Sequence, residues 1–152
     1  MIFVVTLLMG VVAGLRAMTP LAAASWAAHL GWVSVAGTPL AFMGNSWTPW
    51  VFTVLAVAEL ITDQLPQTPS RKVPVQFGAR LVSGALAGAT LAIGVGALIP
   101  GIVLGIVGAV AGTYGGAAAR GKLAARFGKD LPAALIEDAV AVLGALALIH
   151  FV

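Results

Sequence analysis

The chain contains no cysteine, which excludes a disulfide framework, a thiolate metal site and a cysteine nucleophile. Charge is almost as scarce. Asp, Glu, Lys and Arg make up 9% of 152 residues, against about 25% in soluble domains. That leaves too little polar surface for a water-soluble monomer. Disorder requires few apolar residues, and this chain is 61% hydrophobic. Nucleotide-binding, hydrolase-elbow and zinc-helix motifs are also missing. His29 and His150 stand alone, with no second ligand at metal spacing. No nucleophile-and-base arrangement appears, so we expect a protein that is not an enzyme and has neither metal nor cofactor.

What remains is apolar sequence rich in Ala, Val and Gly. A membrane-crossing helix needs about 20 apolar residues, so the length allows several spans and no second, soluble domain. We expect an all-α, polytopic helical membrane protein, with residues 1–152 as a single transmembrane domain. Residues 17–58 and 81–119 contain no charge. The second stretch reads as a helical hairpin turning at Pro100-Gly101. Further spans are expected over 47–65, opened by Thr48-Pro49, and over 132–152, opened by Pro132. Residues 1–15 are apolar, and Arg16 follows instead of preceding them, so an uncleaved span is expected here and not a signal peptide. Thr19-Pro20 then starts a new helical run. We read residues 1–33 as one long helix broken at 16–20, which gives five spans; the alternative is a short hairpin.

Basic residues orient such a protein. The linkers 67–80 and 120–130 hold seven of the eight Lys and Arg residues. This puts both linkers and the N-terminus in the cytoplasm of a bacterial inner membrane, and Trp32, Trp47 and Trp50 at the outer interface. The linkers are short and poor in aromatics, so no nucleic acid is expected as a partner. The pentads at 10–14 and 108–112 are alike. In the five-span arrangement they lie on oppositely directed spans, each followed by a weak helical stretch. That suggests an inverted 2+1+2 repeat, a pattern associated with transporter sites.

The glycines Gly84, Gly88, Gly101, Gly105, Gly108, Gly112 and Gly116 recur at four-residue spacing, which lets helix backbones approach closely. They suit packing within the chain or the seam of a homo-oligomer, most simply a dimer.

Ionisable residues at membrane depth are functional candidates. Counted from the cytoplasmic ends, Glu59, Asp63, Arg80, Glu137 and Asp138 share one layer with more carboxylates than cations. They suit a proton or cation relay, or else an ion pair of Arg80 with Glu59 or Asp138. Arg16 is expected apart from that layer. With Thr19 and Pro20 at a helix N-terminus, it forms a candidate substrate site for an anionic group.

The run Gly14-Leu15-Arg16-Ala17-Met18-Thr19-Pro20-Leu21 resembles the domain-of-unknown-function 4126 family of small bacterial multi-span membrane proteins. So do Glu59 and Asp63 followed by Leu65-Pro66 and Thr68-Pro69-Ser70-Arg71. The segment from Gly78 through Arg80 to Ala85, and Leu131-Pro132 with Glu137-Asp138, complete the likeness. The resemblance implies a small multi-span membrane protein and no particular substrate. The expected function is a small transporter or channel-like protein in the lipid bilayer. Its solute would be a small molecule or ion, anionic where it meets Arg16, with proton or cation involvement. The alternative is a non-transporting structural or assembly protein.

Overall fold

A computed structural model of the chain describes residues 1–65 and 70–152. Pro66, Thr68 and Pro69, which carry part of the family resemblance, lie outside the described residues. Six α-helices follow one another: α1 (Ile2–Leu15), α2 (Met18–His29), α3 (Thr48–Thr62), α4 (Pro74–Ile93), α5 (Leu98–Phe127) and α6 (Asp130–Ile149). One 3-10 turn, Ala41–Gly44, lies between α2 and α3, and no strand occurs among the described residues.

The contacts along each helix give its direction. Gly84 on α4 faces Gly105 and Ala109 on α5, while Gly88 faces Gly101, so α4 and α5 are antiparallel. Gly10 faces Gly105, and Gly14 faces Ala109 and Thr113, so α1 runs parallel to α5. Residue Arg16 lies level with Asp138, and Trp32 stacks edge-on to His150 with ring centres 6.3 Å apart. Helix α2 therefore runs with α6, whereas α1, whose Val12 lies beside Gly144, runs against it.

These directions correct two expectations. Helices α1 and α2 form a hairpin and are not one broken span. Arg16 is extended (φ −143°, ψ 121°), and the helix restarts at once. The glycine face of α1 is taken up by α5, which leaves α2 to fold back beside α3. Among the described residues the six helices are separate elements, with α1 and α2 running in opposite directions. Nor can α1 and α5 be oppositely directed copies in an inverted 2+1+2 repeat. They are parallel neighbours, and the two similar pentads are the facing halves of one contact.

The weak helical stretch after the second pentad, at Gly115-Gly116, does not interrupt α5, which continues for 30 residues. Packing of Gly116 against Leu15 overrides its weak helix propensity. The α4–α5 turn falls before Pro100, at Gly96, whose φ of +73° suits glycine. Pro100 sits in the first turn of α5, where no intrahelical N–H is needed. Thr48 does not cap α3; its hydroxyl donates to the Phe42 carbonyl at 2.5 Å.

Helices α4, α5 and α6 have 20, 30 and 20 residues, and α1, α2 and α3 have 14, 12 and 15. At about 1.5 Å per residue each helix of the second group is a quarter or more shorter than any of the first. The hairpin tip at Arg16 consequently stops within the bundle. Two helices, α5 and α6, are long and apolar enough to cross a membrane; α1 and α3 are shorter apolar helices.

Large apolar side chains are both buried, as at Met9, Leu21, Met43 and Leu91, and exposed in number. Small residues fill much of the interior, among them Ala13, Ala24, Ala27, Ala87, Ala92 and Ala141. The exposed large side chains include Val4, Val54, Ile61, Val82, Val103, Leu143 and Leu146. Every Asp, Glu, Lys and Arg lies toward the end where α1 stops. Both histidines and the exposed Trp32, Trp47 and Trp50 lie toward the other.

Candidate functional site

Ending a helix inside a bundle leaves its last carbonyls and the next helix's first N–H groups without intrahelical partners. At the α1–α2 tip several of these groups are met by specific side chains. The Gly14 carbonyl accepts from Arg80 Nη1 at 3.0 Å, and the Leu15 carbonyl from Arg16 Nη1 at 2.9 Å. The Ala17 carbonyl accepts from the Ser83 hydroxyl. The two oxygens of Glu59 accept from the Ala17 and Met18 N–H groups, each at 2.8 Å. Cations thus face the negative end of α1, and a carboxylate faces the positive end of α2. The carboxylate that the α2 N-terminus was expected to draw from solution is supplied by the chain itself.

Arg16 is fully buried, and its guanidinium is surrounded by carboxylates from two helices. Nε donates to Asp138 at 2.7 Å, and Nη2 pairs with the same residue. Nη1 lies 2.8 Å from Glu137 and 3.0 Å from Asp63. The outer side of this cluster is closed by Arg71, 2.6 Å from Glu137, and by Gln64, 2.7 Å from Asp138. Arg120 pairs with Asp130 at 2.7 Å nearer the rim.

The structure therefore brings Glu59, Asp63, Arg80, Glu137 and Asp138 into one layer. It differs from the sequence reading in two respects. Arg16 is the centre of the layer and does not stand apart, because α1 runs toward the charged end. Among the described residues Arg80 makes no ion pair; it caps α1. Four carboxylates face Arg16, Arg71 and Arg80, so carboxylates outnumber cations by one. The expected trio of Arg16, Thr19 and Pro20 is not assembled into one open site. Arg16 is fully engaged, Pro20 is buried, and Thr19 lines a separate apolar cavity of about 270 Å³ with Trp26, Thr53 and Leu146.

Arg71, Arg120, Gln64 and Ser83 were not singled out from sequence. The first two were absorbed into the orientation signal of the linkers. Ser83 carried a usable sign, since it follows Arg80 by three residues on one helical face.

A polar cavity of about 650 Å³ opens at the charged end, lined by Asp63, Gln64, Ser70, Arg71, Arg80, Arg120, Gly121 and Asp130. A second, of about 540 Å³, reaches Ala17, Met18, Ala58, Glu59 and Asp63 between α3 and α4. Among the described residues five buried side-chain atoms lack a hydrogen-bond partner: Thr19 Oγ1, Thr113 Oγ1, Arg71 Nη1, Arg80 Nε and Glu137 Oε2. Among the described residues no group of three His, Cys, Asp or Glu side chains is placed to hold a metal ion.

The glycines expected to pack helices face other helices of the same chain. Gly84 and Gly88 meet Gly101 and Gly105, Gly108 and Gly112 meet the α1 backbone, and Gly116 meets Leu15.

No curated protein and no solved structure matches the chain. A family model does match, over nearly its whole length and across every residue of the hairpin tip and its carboxylate cage. The chain belongs to the family described as domain of unknown function (DUF4126), whose model matches residues 3–151.

Proposed function

We propose that this chain is a small polytopic protein of a bacterial inner membrane that moves a small solute or ion, with its charged end in the cytoplasm. Membrane residence is supported by the outward-facing large apolar side chains and by the two helices long enough to cross. Orientation is supported by the basic residues, all of which lie toward one end. Helix α1 runs toward that end, so the N-terminus emerges on the outside. This reverses the cytoplasmic N-terminus expected from five spans. Trp32, Trp47 and Trp50 then mark the outer interface.

The observation that carries transport is the hairpin tip. Non-helical backbone at membrane depth is tolerated only where it is buried in protein or lines a wet cavity. Here two cavities approach it, and both are bordered by Asp63, which pairs with Arg16. Interrupted helices whose ends face ionisable groups are the usual construction of transporter sites. The carboxylates of α3 and α6 hold the tip as a latch. Protons or cations that replace Arg16 as their partner would release it, which couples solute passage to proton or cation binding. A homodimer would shield the short helices α1 and α3 from lipid.

Cysteine labelling tests this on a chain with no cysteine of its own. Ala17 and Ala58 both border the second cavity. In oriented vesicles Ala17→Cys and Ala58→Cys should react with a membrane-impermeant maleimide from the cytoplasmic side. If Ala17→Cys stays unreactive while Gly121→Cys at the open cavity reacts, the tip is dry and the transport reading fails. A static assembly role is the second reading. It is favoured by the near balance of charge around Arg16 and by backbone contacts that leave little room for movement.

A further inference from the structure

We infer that the cavity at the charged end is an oxyanion site read by Arg71 and Arg80. The inference rests on the solute-moving function proposed above and names the class of solute. The Arg71 and Arg80 side chains are 9% and 3% exposed, and both line the cavity. Each keeps a donor without a partner among the described residues, Nη1 in Arg71 and Nε in Arg80. A buried donor on a charged group is costly to leave unmatched. An anion with two or more acceptor oxygens matches both, and guanidinium is the side chain best shaped for phosphate and carboxylate.

The acidic groups in the cavity wall are already engaged, Asp63 by Arg16 and Asp130 by Arg120. Ser70 and Gln64 add neutral polar groups to the lining. Every charged residue lies toward this end, so the formal net charge of +3 is concentrated around the cavity. Arg16, by contrast, has each of its nitrogens on an internal acceptor. The anion-recognising position is thus displaced from Arg16, where the sequence pointed, to the next pair of arginines outward. The same chemistry serves a free phosphate ion or the phosphate of a phospholipid headgroup in the cytoplasmic leaflet.

The test is thermal unfolding of the purified protein in neutral detergent. Inorganic phosphate should raise the Tm saturably, and chloride at matched ionic strength should not. Arg71→Lys and Arg80→Lys should each raise the half-saturating phosphate concentration by about tenfold or more, the value of one charge-assisted hydrogen bond. Gly121→Leu supplies the decisive variant if the arginine variants unfold. Gly121 lines the cavity, and a Cβ built there meets no atom within 4 Å. The leucine should obstruct the cavity and weaken the phosphate response without disturbing the packing. A wild type with no saturable response overturns the proposal, as does Gly121→Leu with an undiminished one. Repeating the titration in phosphatidylglycerol nanodiscs separates the two sources. A response lost there assigns the site to the headgroup, and a response retained assigns it to the free anion. A phosphate response with Ala17→Cys unreactive keeps this site and rejects transport. Reactive Ala17→Cys with no phosphate response rejects this site alone.

Discussion

Between α1, α4 and α5 the backbones touch directly, whereas at residues 15–18 charged side chains are interposed between them. The first region works by omission. A Cβ on Gly105 would run into the Gly84 carbonyl, and one on Gly112 into the Val11 carbonyl. Small residues let the backbones approach, and dispersion does the rest. The second region works by supply, with side chains brought to the backbone N–H groups of Ala17 and Met18 and to the carbonyls of Gly14, Leu15 and Ala17. The contrast shows two ways of tolerating close backbone approach in apolar surroundings. A glycine contact fails through added volume, and the tip fails through lost charge. Only the tip can be opened and closed by something that binds.

The comparison can be broken most severely at the glycine contact. Gly105→Val should cost more than about 5 kcal/mol and leave no folded protein by size-exclusion chromatography in detergent, because rigid backbone on two neighbouring helices would have to move. Next comes Arg16→Ala, which leaves three carboxylates facing one another without their cation. A loss of about 3–5 kcal/mol is expected from unfolding measurements. Removing Asp138 as well should recover part of it, and a double variant no better than the sum of the singles would mean that the two residues are not coupled. Glu59→Gln keeps an acceptor at the α2 N-terminus but removes the charge. It should cost about 1–2 kcal/mol and keep the fold while abolishing solute movement. The smallest effect sharpens the contrast on a single helix. Gly115 is three residues from Gly112, yet a Cβ there meets nothing within 4 Å. Gly115→Ala should raise stability by up to about 1 kcal/mol through helix propensity alone. A loss comparable to that of Gly105→Val would show that Gly115 faces a partner, such as a second copy of the chain.

Composition and charge placement were enough to read an all-helical chain; the uncharged stretch 81–119 located the α4–α5 hairpin, and Pro132 located α6. The depth of the carboxylate layer was also legible, because distance from Pro74 or Pro132 along a helix is simple arithmetic. The path of the first 33 residues was not. A charged residue followed by Thr-Pro marks a break, but a single extended residue can continue a helix axis or reverse it. Which of these happens depends on α5, about ninety residues away, whose glycines accept α1. The same uncertainty put Arg16 on the wrong side of the bundle and made two packed pentads look like an inverted repeat. Partner choice around Arg16 was hidden for a related reason. Periodicity places Glu137 and Asp138 on a helix but does not say which cation turns toward them.

The pairing of Arg16 with Glu137 and Asp138 spans 121 and 122 residues of chain. Synthesis runs from the N-terminus, so the first hairpin is made while its counter-charges on α6 do not yet exist. A buried charge left without its partners costs about 3–5 kcal/mol. Until α6 arrives, then, the α1–α2 hairpin has reason to stay undocked with Arg16 hydrated. The earliest segment to be translated would be the last to dock, and a nascent chain stopped before residue 137 should leave Arg16 open to water.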